Sequence, residues 1–348
     1  MNNYYIMISS IRRLSAFLLL PLLMHASAQA QDGSSTAAPG QWITLPESNQ
    51  PLKRHENAYT KAGDTFYLIG GRGERPVEIY DPAANTWTTG ATPPLSMHHF
   101  QAVSHEGKIY VLGAFTDGFP DETPVPHVYI YDPESDSWEK GPEIPEGRRR
   151  GAAGAVSYNG KIYLVGGIQN GHIDGHVRWL DVFDPDTGEW EQLANAPRFR
   201  DHFQAAVVGD KLYAAGGRRT SHATGRTLEL TIPEVDVYDF STGTWTPLPP
   251  SGDLPAERAG TTAITVGNRL VILGGESGSQ VEAHSEVEVY NPETGEWYAL
   301  APMNTGRHGT QAIVHDGKIY IAAGSETRGA TEINSQEVFI LPDSLYKK

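Results

Sequence analysis

Hydrophobic positions in this chain come in short runs. FYLIGG, KIYVLG, KIYLVGG, KLYAAGG, RLVILGG and KIYIAAG are each apolar for a few residues, stop at glycine, and are separated by stretches rich in Gly, Asp, Asn and Pro. Short apolar or alternating runs closed by turn formers predict β-strands. No long stretch repeats apolar residues at helical steps, so an all-β chain of many short strands is expected.

The runs are copies of one unit. Aligned on their terminal pair they end at Gly71, Ala114, Gly167, Gly217, Gly275 and Gly324, a spacing of 43 to 58 residues. An aromatic follows each copy: Tyr80, Tyr131, Phe183, Tyr238, Tyr290 and Phe339. Seven residues beyond five of these stands a tryptophan: Trp87, Trp138, Trp190, Trp245 and Trp297. A fixed period of this length signals a repeat architecture. A double glycine ending a strand, then a tyrosine and a tryptophan, resembles the kelch repeat over nearly the whole chain past the N-terminus.

The resemblance implies a six-bladed β-propeller with four-stranded blades, at about 53–91, 96–144, 148–196, 198–248, 256–302 and 305–341. One blade cannot cover its own apolar faces and stacks on its neighbours. The sixth copy lacks its tryptophan, but QWITLP at 41–46 resembles TWTPLP around Trp245 and EWYALAP around Trp297. Trp42 is therefore expected to supply the outer strand of the last blade, closing the ring and removing exposed edges. Trp179 stands outside the register.

The first thirty residues read differently. Arg12 and Arg13 precede the apolar run LSAFLLLPLL and the small-residue end HASAQA. This is the pattern of a signal peptide cleaved after Ala28 or Ala30, and the run is too short for a membrane span. Residues 31–40 read as a linker, and the mature protein is expected to be a periplasmic or secreted monomer. Without the leader the chain holds 25 Lys and Arg against 42 Asp and Glu, a net charge of −17. That balance argues against nucleic acid as a partner. With no Cys there are no disulfides, no thiol chemistry and no lipidated cysteine.

The resemblance also implies that the loop entering each innermost strand and the loop after each double glycine share one face around the axis. Aligned on Ala58, Ala102, Ala155, Ala205, Ala263 and Ala312, the position five residues earlier holds Lys53, Met97, Arg150, Arg200, Arg258 and Arg307. Next come Arg54, His98, Gly151, Asp201, Ala259 and His308, then His55, His99, Ala152, His202, Gly260 and Gly309. This alignment makes His55, His99 and His202 equivalent. Clustered guanidiniums suit a carboxylate or sulfate, each able to make two parallel hydrogen bonds. Imidazoles kept neutral by nearby cations can take up a proton.

The expected site therefore has His99, His202 and His55 as acid/base groups. Substrate contacts are expected from Arg54, His98, Arg150, Arg200, Asp201, Arg258, Arg307 and His308, with Arg218 and His222 as a pocket wall. Arg72, Glu74, His172, His176, Arg219, Glu276 and Glu326 lie on the same face and read as solvated loop residues. The parts fit a lyase, epimerase or mutarotase acting on an anionic sugar or glycan of uronate or sialate type. A non-catalytic glycan- or protein-binding propeller stands as the alternative. No cofactor is expected, and a metal ion held by His55, His99 and His202 converging over the axis is a further option that no local ligand spacing supports. Galactose oxidase shares the fold, but its copper-radical chemistry needs a cysteine this chain does not have.

Overall fold

The computed structural model describes residues 40–46 and 50–346. The signal peptide expected at 1–30 and residues 31–39 of the expected linker lie outside the described residues. Six four-stranded antiparallel sheets form. In blade 1 the strands run outward in chain order as Asn57–Ala62, Thr65–Gly70, Glu78–Asp81 and Thr86–Thr89. The innermost strands of blades 2 to 6 are Val103–His105, Gly154–Tyr158, Ala205–Val208, Thr262–Val266 and Ala312–His315. They neighbour one another in chain order, and the sixth returns to the first. The molecule is a six-bladed β-propeller.

The seven-residue spacing is explained by a tight hairpin that sets each aromatic directly opposite its tryptophan. Tyr80 pairs with Trp87, Tyr131 with Trp138, Phe183 with Trp190, Tyr238 with Trp245 and Tyr290 with Trp297. Their ring centroids lie 4.9–5.3 Å apart, the spacing at which cross-strand aromatics add to sheet stability. The ring closes as the sequence predicts: Trp42–Thr44 joins the last blade with Trp42 opposite Phe339, 5.1 Å between centroids. The Trp42 indole also donates to the Ala301 carbonyl, 2.9 Å away, so one residue ties the N-terminal strand to blades 5 and 6. Apolar side chains pack between blades, as where Tyr59, Phe66 and Leu68 meet Ile313, Tyr320 and Val338. Trp179 lies under the Arg148 guanidinium, 4.0 Å from its ring centre, a cation–π contact.

The glycine pairs bring the blades together at the axis. Gly275 donates its N–H to the carbonyl of Arg307 in the next blade, 2.9 Å away. A Cβ on Gly274 would fall 2.2 Å from that oxygen, and the residue sits at φ +66°. Only glycine meets both demands. Below this level Gln101, Gln204 and Gln311 reach across the axis. Gln101 accepts from the N–H groups of Ala155 and Ala205 and donates to the Ala205 carbonyl. Gln204 donates to the Thr310 carbonyl, and Gln311 bridges to Ala102. These cross-links plug the axis, so the upper face carries a floored cavity.

Candidate functional site

Six residues with left-handed backbone conformation circle the axis at the entrance to the innermost strands: Glu56, His99, Ala152, His202, Gly260 and Gly309, with φ between +51° and +64°. Each is linked to the next by main-chain hydrogen bonds. His99 donates to Glu56, Ala152 to His99, His202 to Ala152, Gly260 to His202 and Gly309 to Gly260, and Asn57 closes the circuit on Gly309. A non-glycine residue in this conformation carries strain, and here the belt holds four such side chains at the axis. Glu56 and His99 form part of the floor of a cavity of about 630 Å³ above it.

The belt corrects the sequence alignment in blade 1. Position by position, Glu56 is the equivalent of His99 and His202, and His55 is the equivalent of His98, Asp201 and His308. The cause is a one-residue shift: Ala58 lies opposite Ile69, which immediately precedes the glycine pair, as Gly154 lies opposite Val165. Ala155 pairs one position further along. Arg54, not Lys53, thus belongs to the arginine column.

That column is part of the wall. Arg54, Arg150, Arg200, Arg258 and Arg307 are 0–2% exposed. Each meets a buried carboxylate on the third strand of its own blade: Glu78 at 2.6 Å, Asp181 at 2.7 Å, Asp236 at 3.1 Å, Glu288 at 2.6 Å and Glu337 at 2.5 Å. Each also donates to the carbonyl sixteen residues ahead: Gly70, Gly166, Gly216, Gly274 and Ala323. Blade 2 replaces the pair with Met97 and Tyr129, both in the apolar core. The expectation that these guanidiniums grip a ligand is therefore corrected: their charge and donors are used inside the blade. The cavity-lining guanidiniums among the described residues are Arg72, which pairs with Glu122 at 2.7 Å, and Arg218, which pairs with Glu276.

The structure does bring the histidines together, and adds one. His98 Nδ1 lies 2.6 Å from His99 Nδ1, and His98 Nε2 lies 2.9 Å from the Asp117 carbonyl. His202 Nδ1 meets Asp201, and its Nε2 lies 2.9 Å from Nε2 of His172, whose Nδ1 meets Glu122 at 2.9 Å. His172, read from sequence as a solvated loop residue, is 4% exposed; Glu276, read the same way, is also 4% exposed. Asp201 is fully buried and accepts from the main chain and side chain of Thr220. His55 stands apart from this cluster against Glu332 at 2.9 Å. His222 packs on Phe119, their centroids 5.2 Å apart, and Phe119 lies half exposed on the cavity lining. Glu56, Glu122 and Phe119 carry no repeat signature that marks them in the sequence. The carboxylates are legible only as acids on the correct face.

Charge in the cluster is set by burial and by close partners. Burial, more than the neighbouring cations, holds His98 and His202 down to about 4 and His99 well below its usual value, so all three are neutral at pH 7. Burial also opposes charge on His308, yet Glu276 and Glu56 outweigh it and raise the imidazole to about 9. Burial of Glu56 is likewise outweighed, by His99 and His308, which hold its carboxyl well below the ordinary range. Asp201, Glu122 and Glu276 are kept ionised at about 2, each against the cost of burial, by their imidazole and guanidinium partners. Negative Glu56, Glu122, Glu276 and Asp201 thus face positive Arg72, Arg218 and His308, and the cavity has no surplus of positive charge.

Residues 99–324 match the KLHDC2/KLHL20/DRC7 Kelch-repeats domain. The chain is similar to Kelch-like protein terF of Aspergillus terreus, 30% identical over 347 residues, covering 93% of this chain and 73% of that protein. It is 28% identical to human Kelch-like protein 23 over 290 residues, which make up 82% of this chain and 48% of that protein, so it spans about half of that relative's length. Among solved structures, YjhT superposes with a TM-score of 0.69 at 19% identity, covering 83% of this chain and 95% of that one, a likeness of fold. The repeats, the propeller and these relatives agree: the chain belongs to the kelch-repeat family.

Proposed function

We propose that the axial cavity binds a small polyhydroxylated ligand, a sugar in class, and transforms it by proton transfer in a lyase, epimerase or mutarotase type of reaction. The observation that carries this reading is the Glu56–His99 couple on the cavity floor, Oε2 to Nε2 3.4 Å, beneath about 630 Å³ of space. A cavity of this size is in the range of small-molecule sites. His99 is neutral and can take a proton, and the neighbouring carboxylate stabilises the imidazolium that results. His55 lines the same cavity and is a second imidazole able to exchange a proton with a ligand there. Phe119 offers an aromatic face at the rim. Of the two cavity-lining guanidiniums among the described residues, Arg72 is the one open to a sugar acid's carboxylate, its side chain 25% exposed against 2% for Arg218. The alternative, a binding propeller without turnover, needs the cavity but not the couple.

The test is a panel of neutral sugars, uronates and sialates, followed by NMR for anomeric or epimeric exchange and by ultraviolet absorbance for a new double bond. Turnover on one class, reduced about 10²–10⁴-fold by Glu56→Gln, supports the reading. Binding without any turnover favours the binding module. A preference for acids that disappears in Arg72→Ala identifies an anionic sugar.

A further inference from the structure

We infer that His99, His172 and His202 form a binding site for one divalent transition-metal ion, of the zinc type, at the base of the cavity. This goes beyond the proposed sugar chemistry and does not depend on it. One ring nitrogen from each histidine lies within 4.8 Å of the other two, and all three residues are buried.

The hydrogen bonds decide which nitrogens carry a lone pair. Asp201 and Glu122 can only accept, so Nδ1 of His202 and Nδ1 of His172 carry protons and each Nε2 presents its lone pair. The Asp117 carbonyl also only accepts, so Nε2 of His98 carries the proton and its Nδ1 is an acceptor. Nδ1 of His99, 2.6 Å from it, must then be the donor; Glu56 Oε2 stands 3.4 Å from Nε2 of His99, outside the usual hydrogen-bond range, so the shorter contact decides and Nε2 keeps its lone pair. Three imidazoles are thus fixed in the same tautomer by three different acceptors. A carboxylate accepting from the other ring nitrogen, as Asp201 and Glu122 do here, is a usual support of a metal-binding imidazole.

Two lone pairs facing each other at 2.9 Å, as those of His172 and His202 do, need a cation to share. One proton would serve two rings. A third ring with a free lone pair has no use for that proton, whereas an ion takes all three. With Zn–N bonds of about 2.0–2.1 Å and tetrahedral angles, ligand nitrogens stand roughly 3.3 Å apart, so the pair needs to open by only a few tenths of an ångström. Three imidazoles suit zinc, copper, iron or nickel and leave a coordination position open. The surplus of carboxylates around the cluster favours a dication. An ion on Nε2 of His99 occupies the lone pair that faces Glu56, so proton transfer through His99 belongs to the ion-free protein.

The test is calorimetric titration of the chelator-stripped full protein with Zn²⁺ in the absence of sugar. One equivalent bound by the wild type, lost in the triple variant His99→Ala, His172→Ala, His202→Ala, supports the site. Asp201→Asn and Glu122→Gln keep the ligands but remove the orienting charge, and are expected to weaken binding about 10–100-fold. Circular dichroism checks that each variant is folded. If the triple variant does not fold, the loss in the two orienting variants decides. No stoichiometric uptake by the folded wild type, or uptake unchanged in the folded variants, overturns the site while leaving the sugar test unaffected.

Discussion

Arg307→Met is the substitution that separates a wall arginine from a ligand-binding one. In the structure the guanidinium is fully paired: with Glu337, with the carbonyls of Ala323 and Ser335, and with the Ser335 hydroxyl. Glu337 is 0% exposed and also accepts from the N–H groups of Asn304 and Thr305. Methionine fills the space but leaves a buried carboxylate without its counter-charge. Removing one partner of a buried pair costs about 3–5 kcal/mol. At roughly 2 °C per kcal/mol for a large domain, the melting temperature should fall by roughly 6–10 °C in a calorimetric scan. The double variant Arg307→Met, Glu337→Tyr copies the Met97 and Tyr129 arrangement of blade 2 and should recover much of that loss. A single variant that melts within about 2 °C of wild type while losing ligand binding would return Arg307 from the wall to the site.

Trp42→Ala removes the closing contacts to Phe339 and Ala301, and truncation of a buried tryptophan costs about 3–5 kcal/mol; hydrogen exchange should rise first in the strand Gln336–Ile340. His308 has a folded value of about 9, above its ordinary 6.5, so its contribution is complete below pH 6.5 and is lost as pH rises through 9. Urea unfolding should show up to roughly 3 kcal/mol of decline over that range, a slope absent in His308→Gln. Intact-mass analysis of protein recovered from an exporting host should give a mature chain beginning at Gln29 or Gln31, as the leader predicts; a chain that keeps residues 1–28 would contradict export by cleavage.

The fold was legible because its determinants repeat. Six double-glycine or near-glycine ends and a fixed aromatic spacing specify hairpins whose partners are adjacent in sequence, and Trp42 declares its blade by likeness to Trp245 and Trp297. The site was legible only in part, because its residues come from positions where the repeats differ. His98, His99 and His202 stand out at strand entrances. Blade 1 misleads because Lys53 and Arg54 are neighbouring cations and alanine is a poor anchor for register.

The arginines misled for another reason. Their partners Glu78, Asp181, Asp236, Glu288 and Glu337 all lie two residues before the repeat aromatic, and blade 2 loses acid and arginine together, with Met97 and Tyr129 in their places. That covariation within one chain was readable and marks the pairs as structural. His172, Glu122 and Glu276 had no such signal, since they sit on loops whose lengths differ from blade to blade and only the fold brings them to the axis.

The proposed chemistry rests on the cavity floor. Saturation-transfer NMR and exchange spectroscopy on the sugar panel, comparing wild type with Glu56→Gln, test it directly. Sugar contact is expected in both proteins and chemical exchange in the wild type alone; exchange that survives in Glu56→Gln at the wild-type rate would remove the Glu56–His99 couple from the chemistry.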